Sequence, residues 1–220
     1  MKTAWMRGAS GWMVLAMGLL WGCAAMREPA PRVASYISPA FREGPTGRIV
    51  VVPFDGSGCS REARAMVTQA IALTLQEVTR RDVIVAPVTD EQLAAESAMW
   101  RRGRVNVDSL VAARKQYLAD AFLFGVITHY KEYDPPILGL KLNLLCARTG
   151  DVLWAADALY DARDSEVRRR AKAHFERSGM HDLLYGPGLV FVSPQLFARF
   201  VAADVVAPLR QTEDPKGKEP

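Results

Sequence analysis

Three apolar runs in close succession constrain this chain most. They are Ala121 to Thr128, Leu138 to Ala147, and a third that follows a Thr149-Gly150 turn and reaches Tyr160. Successive side chains of a strand point to opposite faces. In the first run Phe122, Phe124 and Val126 therefore face one way and Leu123 and Ile127 the other, and a strand apolar on both faces needs cover on both. Helices must flank such a sheet. The connection Arg148 to Asp151 is short and contains Gly150, which predicts a tight antiparallel hairpin between the second and third runs. In the second run Leu140, Leu142, Leu144 and Cys146 line one face, with Lys141 and Asn143 on the other. Trp154 is expected to share a face with Val152 and Ala156.

Upstream, Arg48 to Phe54 (RIVVVPF) reads as a first strand buried on both sides, its hydrogen-bond ladder stopped by Pro53. A Gly-rich loop, Asp55 to Ser60, follows. The spacing of Val67, Ile71, Leu75 and Val78 predicts an amphipathic helix over Ser60 to Arg80. Asp82 to Ala86 is a short strand ended by Pro87. Thr89 or Asp90 caps a helix through Leu93 and Met99, and Asp108 or Ser109 opens another that runs to Leu118. Beyond Tyr160, Ser165 to Arg177 is a strongly basic helical segment and Tyr185 to Gly188 a turn. Ser193 introduces a last helix with Leu196, Phe197, Phe200, Val201 and Val205 at helical spacing, ended by Pro208. This order predicts an α/β (α+β) fold: a mixed parallel and antiparallel sheet with flanking helices, in a single domain. With 220 residues, half of them hydrophobic, the chain is long enough for one substantial core and short for two.

The N-terminus says where such a domain works. Lys2 and Arg7 precede an apolar run from Gly11 to Trp21, and Leu20-Trp21-Gly22-Cys23 closes it. The run is too short to span a membrane, which takes about 20 apolar residues, and a small residue sits before the cleavage point. The segment resembles bacterial lipoprotein precursors, which implies lipidation of Cys23, and Ala24 after it implies sorting to the outer membrane, facing the periplasm. Residues 1–22 are then the signal peptide and 23–46, with Pro29, Pro31, Pro39 and Pro45, a flexible tether. Residues 47–209 form the domain and 210–220 a disordered polar tail. The net charge of +4 is too mild to suggest nucleic acid. Its densest positive cluster is Arg168, Arg169, Arg170 and Lys172, which an acidic partner or membrane headgroups could use, or which is simply a solvated helix face.

RIVVVPF with its Gly loop and long helix, then LADAFLFGVITHYKEY, then LKLNLLCARTGDVLWAADALY resemble the periplasmic domain of the curli-secretion lipoprotein family, over about residues 47 to 160. Related domains occur in lipoprotein activators of penicillin-binding proteins and in the Tol N-terminal domain. The resemblance implies a fold and an envelope role rather than an activity. It implies no cofactor, a protein partner in the cell envelope and a possible homo-oligomer.

Little in the chain argues for chemistry. The loop Gly56 to Ser60 lacks the Gly-Lys-Ser/Thr ending of a P-loop and reads as a turn in which Ser57 or Ser60 caps the helix. His129, His174 and His181 have no partner at ligand spacing, so no metal is expected. Cys59 with His129 is conceivable as a nucleophile and base. The preferred reading is a non-enzymatic, lipid-anchored binding or assembly factor. The alternatives are a secretion-channel subunit of the curli type and a nucleotide-binding or hydrolytic enzyme using the Gly56 to Ser60 loop. Against a channel, the gap between Tyr130 and Leu138 is too short for a membrane hairpin, and Arg168 to Lys172 interrupt the later one, Asp161 to Gly188.

Overall fold

The computed structural model describes residues 33–43, 47–87, 107–133, 135–178 and 186–210. Strands β1 (Val33–Ile37), β2 (Arg48–Val51), β3 (Asp82–Val85), β4 (Ala121–Lys131), β5 (Ile137–Cys146) and β6 (Val152–Asp161) form one sheet in the order β1-β6-β5-β4-β2-β3. Helices are α1 (Pro39–Glu43), α2 (Arg61–Thr79), α3 (Val107–Tyr117), α4 (Ser165–Arg177) and α5 (Pro194–Arg210), with a 3-10 turn at Gly186–Phe191. Strands β2, β3 and β4 run parallel, while β4, β5, β6 and β1 are antiparallel neighbours. The mixed α/β sheet and its flanking helices are as the sequence predicts. The helix expected through Leu93 and Met99 lies outside the described residues, as do Cys23, His181 and the tail 211–220.

Each face of the central strand has its own core. Leu123 and Ile127 join Leu140, Leu142 and Leu144 under α2 and α5, whereas Phe122 and Phe124 pack with Val50, Val52 and Leu145 against Leu110 and Ala113 of α3. Among the described residues that second cover reaches only the Leu145 end of β5. Across β5, β6 and β1 the same face presents Lys141, Asp157, Leu159 and Tyr36 to solvent.

Helix α2 is built as its sequence spacing requires, with Val67, Ile71, Leu75 and Val78 buried. Ser60 Oγ accepts the Ala63 N–H at 3.1 Å, and Arg80, in a left-handed conformation (φ 53°), donates its N–H to Gln76 at 2.9 Å. Ser60→Ala is expected to cost about 0.5–2 kcal/mol in chemical denaturation, the worth of an N-cap. A larger loss would mean that the loop does more than start a helix. Pro53 interrupts the β2 ladder as expected, earlier than read: the strand ends at Val51, and contact with β4 resumes where Asp55 donates to Gly125 O and accepts from Ile127 N–H. Between them Phe54 lays its ring on Gly125, where a Cβ would come within 2.5 Å of it. The hairpin turns at Gly150 (φ 76°).

Three expectations are corrected. Val33–Ile37, read as tether, pairs with β6 from Val33↔Ala158 to Ile37↔Trp154 and closes the sheet at one edge. Its three middle residues are exposed, so no apolar period marks it as a strand. Val152 does not share a face with Trp154: a bulge at Leu153 pairs Val152 with Leu145 and Trp154 with Leu144, which face opposite cores. Pro208 does not end α5, which continues to Arg210 with Leu209 fully buried. A proline in the last turn forfeits one hydrogen bond, and the buried Leu209 outweighs it.

Candidate functional site

The basic segment forms helix α4 as predicted, starting at an Asp164 cap whose side chain accepts the Glu166 N–H at 2.8 Å. Val167, Ala171 and Phe175 fasten it to the core. Those anchors turn Arg169, Arg170, Ala173, His174 and Arg177 toward α5, across which α2 presents Ala70, Leu73, Thr74 and Glu77. The three helices enclose a cleft of about 820 Å³ whose floor is one stripe of α5, from Leu196 to Arg210.

Five arginines line this groove, Arg169, Arg170, Arg177, Arg199 and Arg210, against two carboxylates, Glu77 and Asp204. Their commitments differ. Asp204 pairs with Arg170 and accepts the Tyr160 hydroxyl at 2.6 Å, so charge at the floor is internally neutralised. Arg169 is held by Glu166 through bonds of 2.8 and 2.6 Å. Arg177 gives its Nε–H to Ala173 O at 3.0 Å and has no ion pair among the described residues. Arg199 and Arg210 are exposed, and no hydrogen bond or ion pair holds either among the described residues. Burial, with help from Arg177, lowers the His174 pKa, which favours its neutral form, and burial pushes the Tyr160 phenol up.

Of the four cations expected to meet a partner, the structure brings Arg169 and Arg170 into the groove. Arg168 instead stands over the Phe191 ring, 5.4 Å from its centre, and Lys172 is exposed outside the lining. Sequence reasoning missed Arg199 and Arg210. They lie three helical turns apart on one face, a signal lost when Pro208 is taken as the end of the helix.

The Gly loop holds no comparable site. Asp55 Oδ1 accepts the Gly56 N–H at 2.7 Å and lies 3.6 Å from Arg64, which sets a carboxylate where a phosphate cradle needs a free amide. Cys59 points its thiol at Gly56 O, 3.6 Å away, and burial raises its pKa, the opposite of an activated nucleophile. His129 contacts Thr128 Oγ1 at 3.3 Å and makes no hydrogen bond to Cys59. Cys59 and Cys146 are both free. They sit at opposite ends of β4, because Cys146 pairs with Ala121 while Gly56, beside Cys59, lies against Ile127. No group of three or more His, Cys, Asp or Glu among the described residues could hold a metal.

A mixed six-stranded sheet with helices on both faces defines the class as α/β. Within it, the structure resembles a PelC dodecamer from Paraburkholderia phytofirmans, with a TM-score of 0.51 at 16% identity over 81% of this chain and 96% of that one. Lipoprotein GNA1162 from Neisseria meningitidis overlaps more loosely, with a TM-score of 0.39 at 18% identity over 62% of this chain and 99% of that one. So does the LpoB C-terminal domain from Salmonella enterica, at 0.34 and 10% identity over 52% and 82%. At 16% identity the first establishes a shared fold alone. No protein-family model matches the chain, and no curated protein matches its sequence.

Proposed function

We propose that this chain is a lipoprotein held at the periplasmic face of the outer membrane through Cys23, acting as a non-enzymatic binding or assembly factor for a cell-envelope or secretion complex. The observation that carries this reading is the groove. Its uncommitted arginines stand on a three-helix frame, an arrangement suited to holding a partner, and the chemistry-bearing residues Cys59 and His129 do not meet. The lipobox and the resemblance to envelope lipoproteins support the address. The fold shared with a dodecameric protein supports a homo-oligomer. Among the described residues no helix is long and apolar enough to cross a bilayer.

Two observations favour this over a secretion channel. Only residues 132–136 separate β4 from β5, and Ser165–Arg177 is a helix anchored in the core rather than a membrane strand. Cys23→Ser is expected to leave a larger, unlipidated precursor in the inner membrane, seen as slower gel migration and loss from the outer-membrane fraction. Normal processing and outer-membrane recovery of that variant would overturn the lipoprotein reading.

A further inference from the structure

We propose that the groove along α5 binds an extended, acidic stretch of a partner polypeptide, an inference that rests on reading the protein as an envelope binding factor. Its floor follows one helix. From Leu196 to Arg210 that floor rises about 1.5 Å per residue, so the groove is about 21 Å long, the span of about six residues of an extended chain at 3.3 Å each.

Charge and polarity choose the sequence of that strand. Asp204 neutralises Arg170 and Glu166 holds Arg169, which leaves Arg177, Arg199 and Arg210 facing Glu77 alone. Arginine forks match carboxylates in geometry as well as in sign. Apolar surface lies between them, including Leu73, half exposed at 52%, and the side chains of Leu196 and Ala207. A chain alternating acidic and apolar residues meets both sets, because its side chains alternate in direction. The lining hydroxyls have no proton to offer a ligand, since Thr74 donates to Ala70 O at 2.9 Å and Ser178 to Phe175 O at 2.6 Å, so side-chain donation to a ligand falls to the arginines.

The test uses the full lipidated chain in detergent micelles, fluorescence anisotropy, and a short fluorescein-labelled peptide alternating Glu and Leu. Saturable binding is expected, weakened as salt rises from about 50 to about 500 mM. The double variant R199E/R210E should weaken it at least ~10-fold. Both residues are exposed, so the variant's thermal melt should match that of the parent. Equal affinity for R199E/R210E, equal binding of a Lys and Leu peptide, or arginine-dependent binding of polygalacturonate but not of the Glu and Leu peptide would each overturn the proposal. Absence of peptide binding with outer-membrane anchoring intact would defeat this inference and leave the lipoprotein reading standing.

Discussion

Trp154→Ala is expected to destabilise the protein by about 3–5 kcal/mol, the cost of emptying a large aromatic site in a packed core. Trp154 is fully buried, paired with Leu144 on one side and Ile37 on the other, so its loss opens a cavity beneath two neighbouring strands. In a domain of this size 1 kcal/mol moves the melting temperature by about 2–4 °C, so a drop of roughly 6–20 °C is expected. One effect works against the loss. The indole Nε1–H is buried without a hydrogen-bond partner among the described residues, and deleting an unsatisfied donor recovers about 1–3 kcal/mol. The result should therefore fall in the lower half of the range, and Trp154→Phe should cost far less. Val152→Ala should cost under about 1 kcal/mol, since Val152 is 38% exposed on the other side of the bulge. Equal losses at the two positions would mean that β6 alternates regularly and that no bulge separates them.

That contrast shows where the sequence is legible. The β5–β6 hairpin, the buried stripe of α2 and the extent of α4 can all be read, because each is specified by local period and local caps. The bulge at Leu153 cannot. It seats two neighbouring apolar residues, Leu153 and Trp154, in the same core under α5, which a regular alternation would forbid, and only the assembled sheet decides it. Strand β1 is hidden for a related reason: Val33–Ile37 owes its structure to the free edge of β6, a tertiary partner, rather than to its own pattern. The groove was half legible. Arg169 and Arg170 stand in a conspicuous basic run. Arg199 and Arg210 become neighbours of that run only once α5 packs between α2 and α4.

Asp204→Ala is expected to cost about 2–4 kcal/mol, read as a lowered midpoint in urea with an unchanged slope. The loss comes less from the attraction removed than from what is left behind. The side chains of Asp204 and Arg170 are 19% and 25% exposed, and Tyr160 is 1% exposed, so the substitution strands a guanidinium and a hydroxyl with little water to replace the carboxylate. Full burial would cost about 3–5 kcal/mol, and the residual exposure reduces this. Tyr160→Phe, which leaves the ion pair in place, should cost only about 1 kcal/mol. Replacing both partners, Arg170→Met with Asp204→Leu, should restore most of the stability, because no charge then remains to be solvated. The single variant also separates stability from recognition. Removing Asp204 frees Arg170 toward the groove, so affinity for an acidic peptide should rise while the fold weakens. A fall in both would mean that Asp204 positions the ligand-facing arginines rather than neutralising one of them.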